Sequence, residues 1–128
     1  MQRLEEIIDE NTRVVCLALA SNVTGRLHLE AVTRIVEIAR SMQQPPYVIL
    51  DATHFTPHQV CDLAELGADA VVNSAYKYFG PHLGVMAYNR QRFAKLRPPK
   101  VGVRLPLDKF HQYSTNAYFH FNVLMSIC

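Results

Sequence analysis

The sequence predicts an α/β domain of three layers, in which a mostly parallel sheet is flanked by helices. Strand-length apolar runs alternate along the chain with segments whose apolar residues recur at helical spacing, a pattern typical of parallel sheets. The strand-length runs contain little polar alternation, as expected when both faces of a sheet are covered. Of the 128 residues, 49% are hydrophobic and 19% are charged, which excludes disorder for most of the chain and provides for one folded core.

Each predicted element has its own pattern. A helical stripe at Leu4, Ile7 and Ile8 precedes an uninterrupted apolar run over residues 14–20, which is predicted to be a strand. Apolar residues then recur at helical spacing from 29 to about 42, with Arg40 on the side predicted to face solvent, and two prolines end this helix. Three further strands are expected at residues 47–50, 69–73 and 83–88, with short helices at 61–66 and 91–96.

The composition limits which binding partners and which cellular compartment are expected for the protein. The formal net charge is only +2, from 13 Lys and Arg against 11 Asp and Glu, so nucleic acid is not expected as a partner. The longest apolar run, residues 14–20, is far shorter than a membrane span, so no membrane association is expected. Three cysteines, without a signal segment, favour a reducing cytoplasmic compartment, and Cys16 is interpreted as a small core residue.

Polar side chains follow each of the first three apolar strands, at the point where the strand ends. In open α/β sheets, ligands bind outside the carboxyl ends of the strands. If the strands are parallel neighbours, an amide, a carboxylate, an imidazole, a hydroxyl and an amine converge at one edge. These groups belong to Asn22, Asp51, His54, Ser74 and Lys77.

This combination of side chains suits pyridoxal 5'-phosphate. Lys77 can form a Schiff base with the cofactor's aldehyde, and Asp51 can hold the pyridine nitrogen protonated, so that the ring acts as an electron sink. An amide and an imidazole can hydrogen-bond the ring's phenolic oxygen, and a hydroxyl near the lysine can reach the phosphate. Tyr78 and Phe79 are interpreted as core aromatic residues behind the lysine.

Three segments carry a resemblance to a known family: SNVTG at 21–25, DATH at 51–54 and SAYKYFGPHLG at 74–84. In this order and spacing, over about residues 1–100, the chain resembles the class V aminotransferases among the fold-type-I pyridoxal phosphate enzymes, especially the cysteine-desulfurase-like members. The resemblance implies that residues 1–100 are the central part of a cofactor-binding large domain and that 101–128 are a poorly matching tail.

The resemblance also implies a role for each residue at the predicted edge. Lys77 matches the Schiff-base lysine, which also moves the substrate's α-proton, and Asp51 matches the partner of the pyridine nitrogen. Asn22 matches the asparagine beside the phenolic oxygen, and His54 stands where many desulfurases carry glutamine, as a contact to the same oxygen.

Further positions imply phosphate contacts and a dimer. Ser74 matches a phosphate ligand, and Tyr76 stands where desulfurases often have histidine, beside the cofactor. Thr115 falls in a stretch comparable to a family segment that contributes phosphate contacts across a homodimer. The implied substrate is an amino acid and the implied class is transferase or lyase. Because family members are several times longer, the chain is expected to be a fragment that is inactive in isolation.

Two alternatives are open at this point. The chain could be a noncatalytic remnant of such a domain. It could also be a metal-dependent hydrolase using Asp51, His54 and His58, with Asp62 nearby, since these are ligand types for zinc. Pro57 between the histidines disfavours a helical ligand pair, and a metal site would leave Lys77 unexplained.

Overall fold

A sheet of five strands organises the part of the chain that the structure describes. The computed structural model describes residues 6–94 and 121–122. In chain order the elements are β1 (Val14–Ala18), α1 (Leu29–Ser41), β2 (Tyr47–Asp51), β3 (Ala70–Ser74), a 3₁₀ helix (Ala75–Tyr78), β4 (Gly84–Tyr88), α2 (Arg90–Phe93) and β5 (Phe121–Asn122). The strands follow one another across the sheet in the same order as in the sequence.

The first three strands are parallel neighbours, and the last two extend the sheet in antiparallel pairing. The connections before β2 and β3 are long enough to return the chain to the same edge. Only residues 75–83 separate β3 from β4, and a crossover between parallel strands needs a dozen or more residues. The predicted α/β class is therefore confirmed, with an antiparallel extension on the β4 side.

Helix α1 covers one side of the sheet, called here the helix face. Its apolar stripe includes Val32 and Val36, which pack in one buried cluster with Val48 and Leu50 of β2 and Val71 of β3. The helix ends at Ser41, before the two prolines that the sequence analysis named as its stop. Burial of this stripe is what fixes the helix on the sheet, because isolated helices of this length are marginal in water.

The opposite side of the sheet, called here the open face, is covered only at one corner by the described residues. There the ring of Phe93 in α2 packs against Tyr47 and Tyr88, with ring centroids 5.2 and 5.3 Å apart. Along β1, Cys16 is exposed, and residues of this strand alternate between exposed and half-buried. The interpretation of Cys16 as a core residue is therefore wrong for the described part of the chain, because β1 is an edge strand and the Cys16 side chain lies on its open face.

A buried carboxylate holds the amino-terminal edge of the sheet together. Asp69, which is 2% exposed, forms ion pairs with Arg92 at 2.9 Å and Arg40 at 3.0 Å. It also accepts a hydrogen bond from the N–H of Val48 at 2.8 Å. Arg40 reaches the carbonyl of Gly67 as well, at 2.7 Å. The prediction that Arg40 simply faces solvent is therefore wrong, since its guanidinium turns back over the end of the sheet.

The predicted helix at residues 61–66 is replaced by consecutive turns over 63–67. The side chain of Asp62 accepts hydrogen bonds from the N–H groups of Ala64 and Glu65, as a helix cap would. Gly67 then adopts a φ of 63°, a left-handed conformation that stops the turn and favours glycine.

Several predicted features lie outside the described residues. They are Leu4 in the first helical stripe, the end of the helix at 91–96 and almost all of the tail at 101–128. The division of the chain near residue 100 stays a prediction. Within residues 6–94 and 121–122, no helix has the length and apolar character needed to cross a bilayer.

Candidate active site

The loops that follow β1, β2 and β3 leave the sheet at the same edge, because these strands are parallel. Asp51 is the last residue of β2 and pairs in register with Ala18 and Val72. Ser74 lies two residues beyond Val72 on β3. Because side chains alternate along a strand, Asp51 and Ser74 both lie on the open face, next to the carboxyl edge.

The Asp51 carboxylate is exposed, and only one of its two oxygens accepts a hydrogen bond from the described residues. Its Oδ1 accepts a hydrogen bond from the N–H of Thr53 at 2.9 Å, which turns the chain after β2. No residue within 6–94 donates to its Oδ2. The backbone carbonyl of Asp51 is tied to β1 through the N–H of Leu19 at 2.9 Å. The carboxylate is thus fixed in place with one oxygen available to a ligand.

Asn22 lies in a tight loop after β1. The hydroxyl of Ser21 accepts hydrogen bonds from the N–H groups of Val23 and Thr24, both at 3.2 Å. Gly25 has a φ of 68° and donates its N–H to the carbonyl of Ser21. These contacts close the loop on itself and leave the Asn22 side chain exposed at its tip.

Lys77 lies on the 3₁₀ helix directly after β3 and is exposed. Its Nζ is 5.3 Å from the centroid of the Tyr76 ring. That ring stacks on His82, with centroids 4.9 Å apart and an interplanar angle of 11°. A lysine ammonium within about 6 Å of an aromatic ring is attracted by the ring's electron density. Lys77 therefore lies at the carboxyl edge beside an aromatic pair.

The two aromatic residues after Lys77 differ sharply in their surroundings. The hydroxyl of Tyr78 donates to Asn73 Oδ1 at 2.7 Å in a partly buried hydrogen bond. Phe79 is fully exposed and has a φ of 66°, in the left-handed region. The prediction of two core aromatics is therefore wrong for Phe79, because the left-handed end of the turn directs its side chain away from the sheet.

A cavity of about 680 Å³ lies on the helix face between the loop at residues 56–63 and strands β3 and β4. Asn73 and Tyr78 line it together with His58 and Cys61. Burial, and secondarily the carboxylate of Asp62, raises the pKa of the Cys61 thiol, which keeps it protonated and a poor nucleophile at neutral pH.

His54 is half-buried in the turn after β2, whereas His58 is exposed and lines the cavity on the helix face. Asp51 points to the other side of the sheet, so the three side chains do not converge. In the described ranges there is no group of three or more His, Cys, Asp or Glu residues that could hold a metal ion. The proposed metal site is therefore contradicted for these residues.

The described residues thus bring the ends of β1, β2 and β3, which carry most of the predicted site residues, to one edge of the sheet. Thr115 lies outside the described residues, and its part in the site stays a prediction. The hydrogen bond between Tyr78 and Asn73 is the feature that sequence reasoning missed. Its only sequence signal is that an asparagine interrupts an apolar strand at the position facing the helix side.

The chain also matches a family model. The model for class V aminotransferases matches residues 1–122. This chain belongs to the class V aminotransferase family.

Named relatives agree with that assignment. A protein of Mycobacterium leprae named "Probable cysteine desulfurase 2" is 37% identical over 94 residues, which is 72% of this chain and 21% of that protein. An aminotransferase-like protein of Gibberella zeae is 30% identical over 97 residues, which is 74% of this chain and 23% of that protein. The chain therefore spans less than a quarter of the length of these relatives.

A solved structure shows the same fold. The crystal structure of the cysteine desulfurase CsdA of Escherichia coli superposes with a TM-score of 0.67 at 23% identity, covering 93% of this chain and 28% of that chain. The described part of the chain thus has the fold of a piece of a fold-type-I pyridoxal phosphate enzyme, as predicted.

Proposed function

We propose that this chain carries part of the active site of a pyridoxal phosphate-dependent enzyme that acts on an amino acid, with Lys77 as the covalent attachment point. One observation carries the proposal. In a member of the class V aminotransferases, an exposed lysine and an exposed carboxylate follow neighbouring parallel strands at the same edge of the sheet.

The side chains at this edge fit the chemistry of the cofactor. Asp51 keeps one carboxylate oxygen available while the other is held by the N–H of Thr53. Such an oxygen can accept a hydrogen bond from a pyridine nitrogen and favours its protonated form, because an opposite charge nearby stabilises the cation. Ser74, on the same face, offers a hydroxyl for the phosphate.

Each residue then has a defined task. When bound, pyridoxal 5'-phosphate supplies an electron sink for the bonds at the substrate's α-carbon. Lys77 Nζ would hold the cofactor through its aldehyde, with loss of water, and as a free amine it would take the substrate's α-proton as a general base. Asp51 holds the positive charge of the ring nitrogen.

The remaining residues are proposed to orient the cofactor. Asn22 and His54 hydrogen-bond its phenolic oxygen, Ser74 contacts its phosphate, and Tyr76 lies beside the cofactor. Thr115 adds a phosphate contact between the two subunits of a homodimer. A cytoplasmic location is proposed from the cysteine content alone.

The proposed reaction class is transferase or lyase. The relatives named above, a probable cysteine desulfurase and an aminotransferase-like protein, support an enzyme of this family. Cys61 is not proposed as a sulfur acceptor, because its thiol lines the cavity on the helix face, away from Asp51.

The test is covalent trapping on the full 128-residue chain. The chain is incubated with pyridoxal 5'-phosphate, reduced with borohydride and mapped by mass spectrometry. We expect the adduct on Lys77, its loss in Lys77→Ala, and its retention in Lys95→Ala, which removes another of the chain's lysines. An adduct distributed evenly over the lysines would contradict the proposal.

A noncatalytic remnant is the second candidate function. It applies to these 128 residues taken alone, which span 21 to 23% of the relatives compared above. Taken alone, the chain would lack part of the site that binds the cofactor's phosphate. Each missing charge-assisted hydrogen bond would weaken cofactor binding by about 1.5–3 kcal/mol. Absence of any adduct on Lys77 in the trapping experiment would favour this candidate.

A further inference from the structure

The 3₁₀ helix that carries Lys77 is tied at its start to the residue before β4 and is closed on itself by a second backbone hydrogen bond. The N–H of Ala75, which is buried, donates to the carbonyl of Leu83 at 3.0 Å. The N–H of Gly80 donates to the carbonyl of Ala75 at 2.9 Å. These two bonds hold the backbone at the start of the turn, and neither of them involves Lys77.

Tyr78, the last residue of the 3₁₀ helix, ties it to β3. Its hydroxyl donates to Asn73 Oδ1 at 2.7 Å, and the hydrogen bond is partly buried. Consecutive residues of a 3₁₀ helix point about 120° apart, since it has three residues per turn. Holding Tyr78 against the sheet therefore holds Lys77 away from it, at the carboxyl edge where Lys77 is exposed.

The hydrogen bond between Tyr78 and Asn73 lies in the wall of the cavity on the helix face. Asn73 and Tyr78 line the cavity beside apolar side chains of the sheet, including Val71, Val85 and Ala87, while polar residues such as His58 and Asp62 line it from the loop. In such surroundings each polar atom loses much of its contact with water, so leaving either one unpaired is costly. A phenylalanine at position 78 could fill the same space, but it could not fix the rotation of the turn.

We propose that Tyr78 and Asn73 are positioning residues for Lys77 Nζ. This inference rests on the proposed function, because it concerns the approach of the Lys77 amine to the cofactor's aldehyde. Because the hydrogen bond already orients the turn, the turn loses less conformational entropy when the Lys77 amine bonds the cofactor. Cofactor binding is therefore more favourable.

The first test measures cofactor affinity on the full chain, from the absorbance of the lysine-bound cofactor. Tyr78→Phe removes only the hydroxyl, and Asn73→Leu replaces the whole amide, including the acceptor oxygen, by an apolar group of similar size. We expect both to raise the dissociation constant about two- to tenfold, the range for loss of one hydrogen bond. Asn73→Asp keeps an oxygen acceptor and is expected to retain affinity within about twofold.

Tyr47→Phe is the matched control. The Tyr47 hydroxyl donates to the carbonyl of Arg92 at 3.1 Å, also in a partly buried hydrogen bond, but at the opposite edge of the sheet. We expect it to lower the free energy of unfolding about as much as Tyr78→Phe does, while cofactor affinity stays unchanged. A purely structural role for Tyr78 would make the two variants alike in both measurements.

The second test needs no cofactor. Amide hydrogen exchange of residues 77–80 is expected to accelerate about two- to tenfold in Tyr78→Phe and to be unchanged in Tyr47→Phe. Unchanged affinity in Tyr78→Phe, with Lys77 still trapped by borohydride, would overturn the positioning role and leave the proposed function intact. Failure of the wild-type chain to bond the cofactor at Lys77 would overturn both.

Discussion

Replacing Asp51 by asparagine removes the charge of its side chain and changes the shape very little. Its Oδ1 accepts from the N–H of Thr53, and Oδ2 is available. An asparagine can keep the first contact through its own oxygen, but it presents an uncharged group to the ligand. The exchange therefore isolates the charge from the shape of the turn.

We expect Asp51→Asn to weaken cofactor binding about 10- to 100-fold, the range for losing one charge-assisted hydrogen bond. The measurement is a titration with pyridoxal 5'-phosphate followed by absorbance. Glu37→Gln removes a carboxylate from the exposed side of α1 and should leave the titration unchanged. Equal affinity in Asp51→Asn and the wild type would exclude Asp51 as the partner of the ring nitrogen.

At the scale of elements, two glycines beside the 3₁₀ helix have opposite surroundings. A Cβ at Gly80 would lie 2.9 Å from both the Cβ and the carbonyl oxygen of Ala75, whereas a Cβ at Gly84 would meet no atom within 4 Å. The close approach at Gly80 brings the end of the turn down onto its own start. Room for a side chain there would exist only if the Lys77 turn moved.

Gly80→Ala is therefore expected to lower the free energy of unfolding by about 1–3 kcal/mol, the usual cost of forcing extra atoms into a packed site. It should also reduce trapping of the cofactor on Lys77. Gly84→Ala, the matched control, should retain both. Denaturation in urea and the borohydride experiment measure the two effects, and indistinguishable variants would contradict the role of this close approach.

The ion network at the amino-terminal edge stabilises the sheet without touching the candidate site. Asp69 joins Arg40 of α1 to Arg92 of α2 and accepts from the N–H of Val48 in β2. The two arginine side chains are 32% and 35% exposed, so water can solvate them when the carboxylate is lost. The N–H of Val48 is buried and has no water to replace the carboxylate as its acceptor.

We expect Asp69→Asn to lower the free energy of unfolding by about 2–4 kcal/mol, because two charge-assisted hydrogen bonds weaken together. Asp62→Asn, which keeps the oxygen that caps the following turn, should change it by less than about 1 kcal/mol. Urea denaturation of both variants provides the comparison. A cost at Asp69 no larger than that at Asp62 would show that the network contributes little.

Local sequence patterns predicted the strands and the long helix because those patterns are set by neighbours within a few residues. The helix from residue 29 begins and ends close to where its periodicity does, at Leu29–Ser41. The prediction of a helix at 61–66 was wrong, because Asp62 caps a short run of turns that ends at Gly67. Arg40 was misassigned because its partner, Asp69, lies in another element.

At the scale of the whole molecule, the predicted convergence of the candidate site depended on topology. Once the strands were assumed to be parallel neighbours, the ends of β1, β2 and β3 had to meet at one edge, and the register of Ala18, Asp51 and Val72 has them there. The contact between Tyr78 and Asn73 could not be predicted in this way, because it depends on the rotation of one turn.

The two edges of the sheet divide the protein's tasks. Asp69 and its arginines lock one end, and the candidate reactive groups occupy the other, with strands of five residues between them. Five residues extend roughly 17 Å, so a change of loop at the reactive end leaves the lock intact. Loops at the reactive end can therefore differ between proteins of this fold while the ion network at the other end is kept.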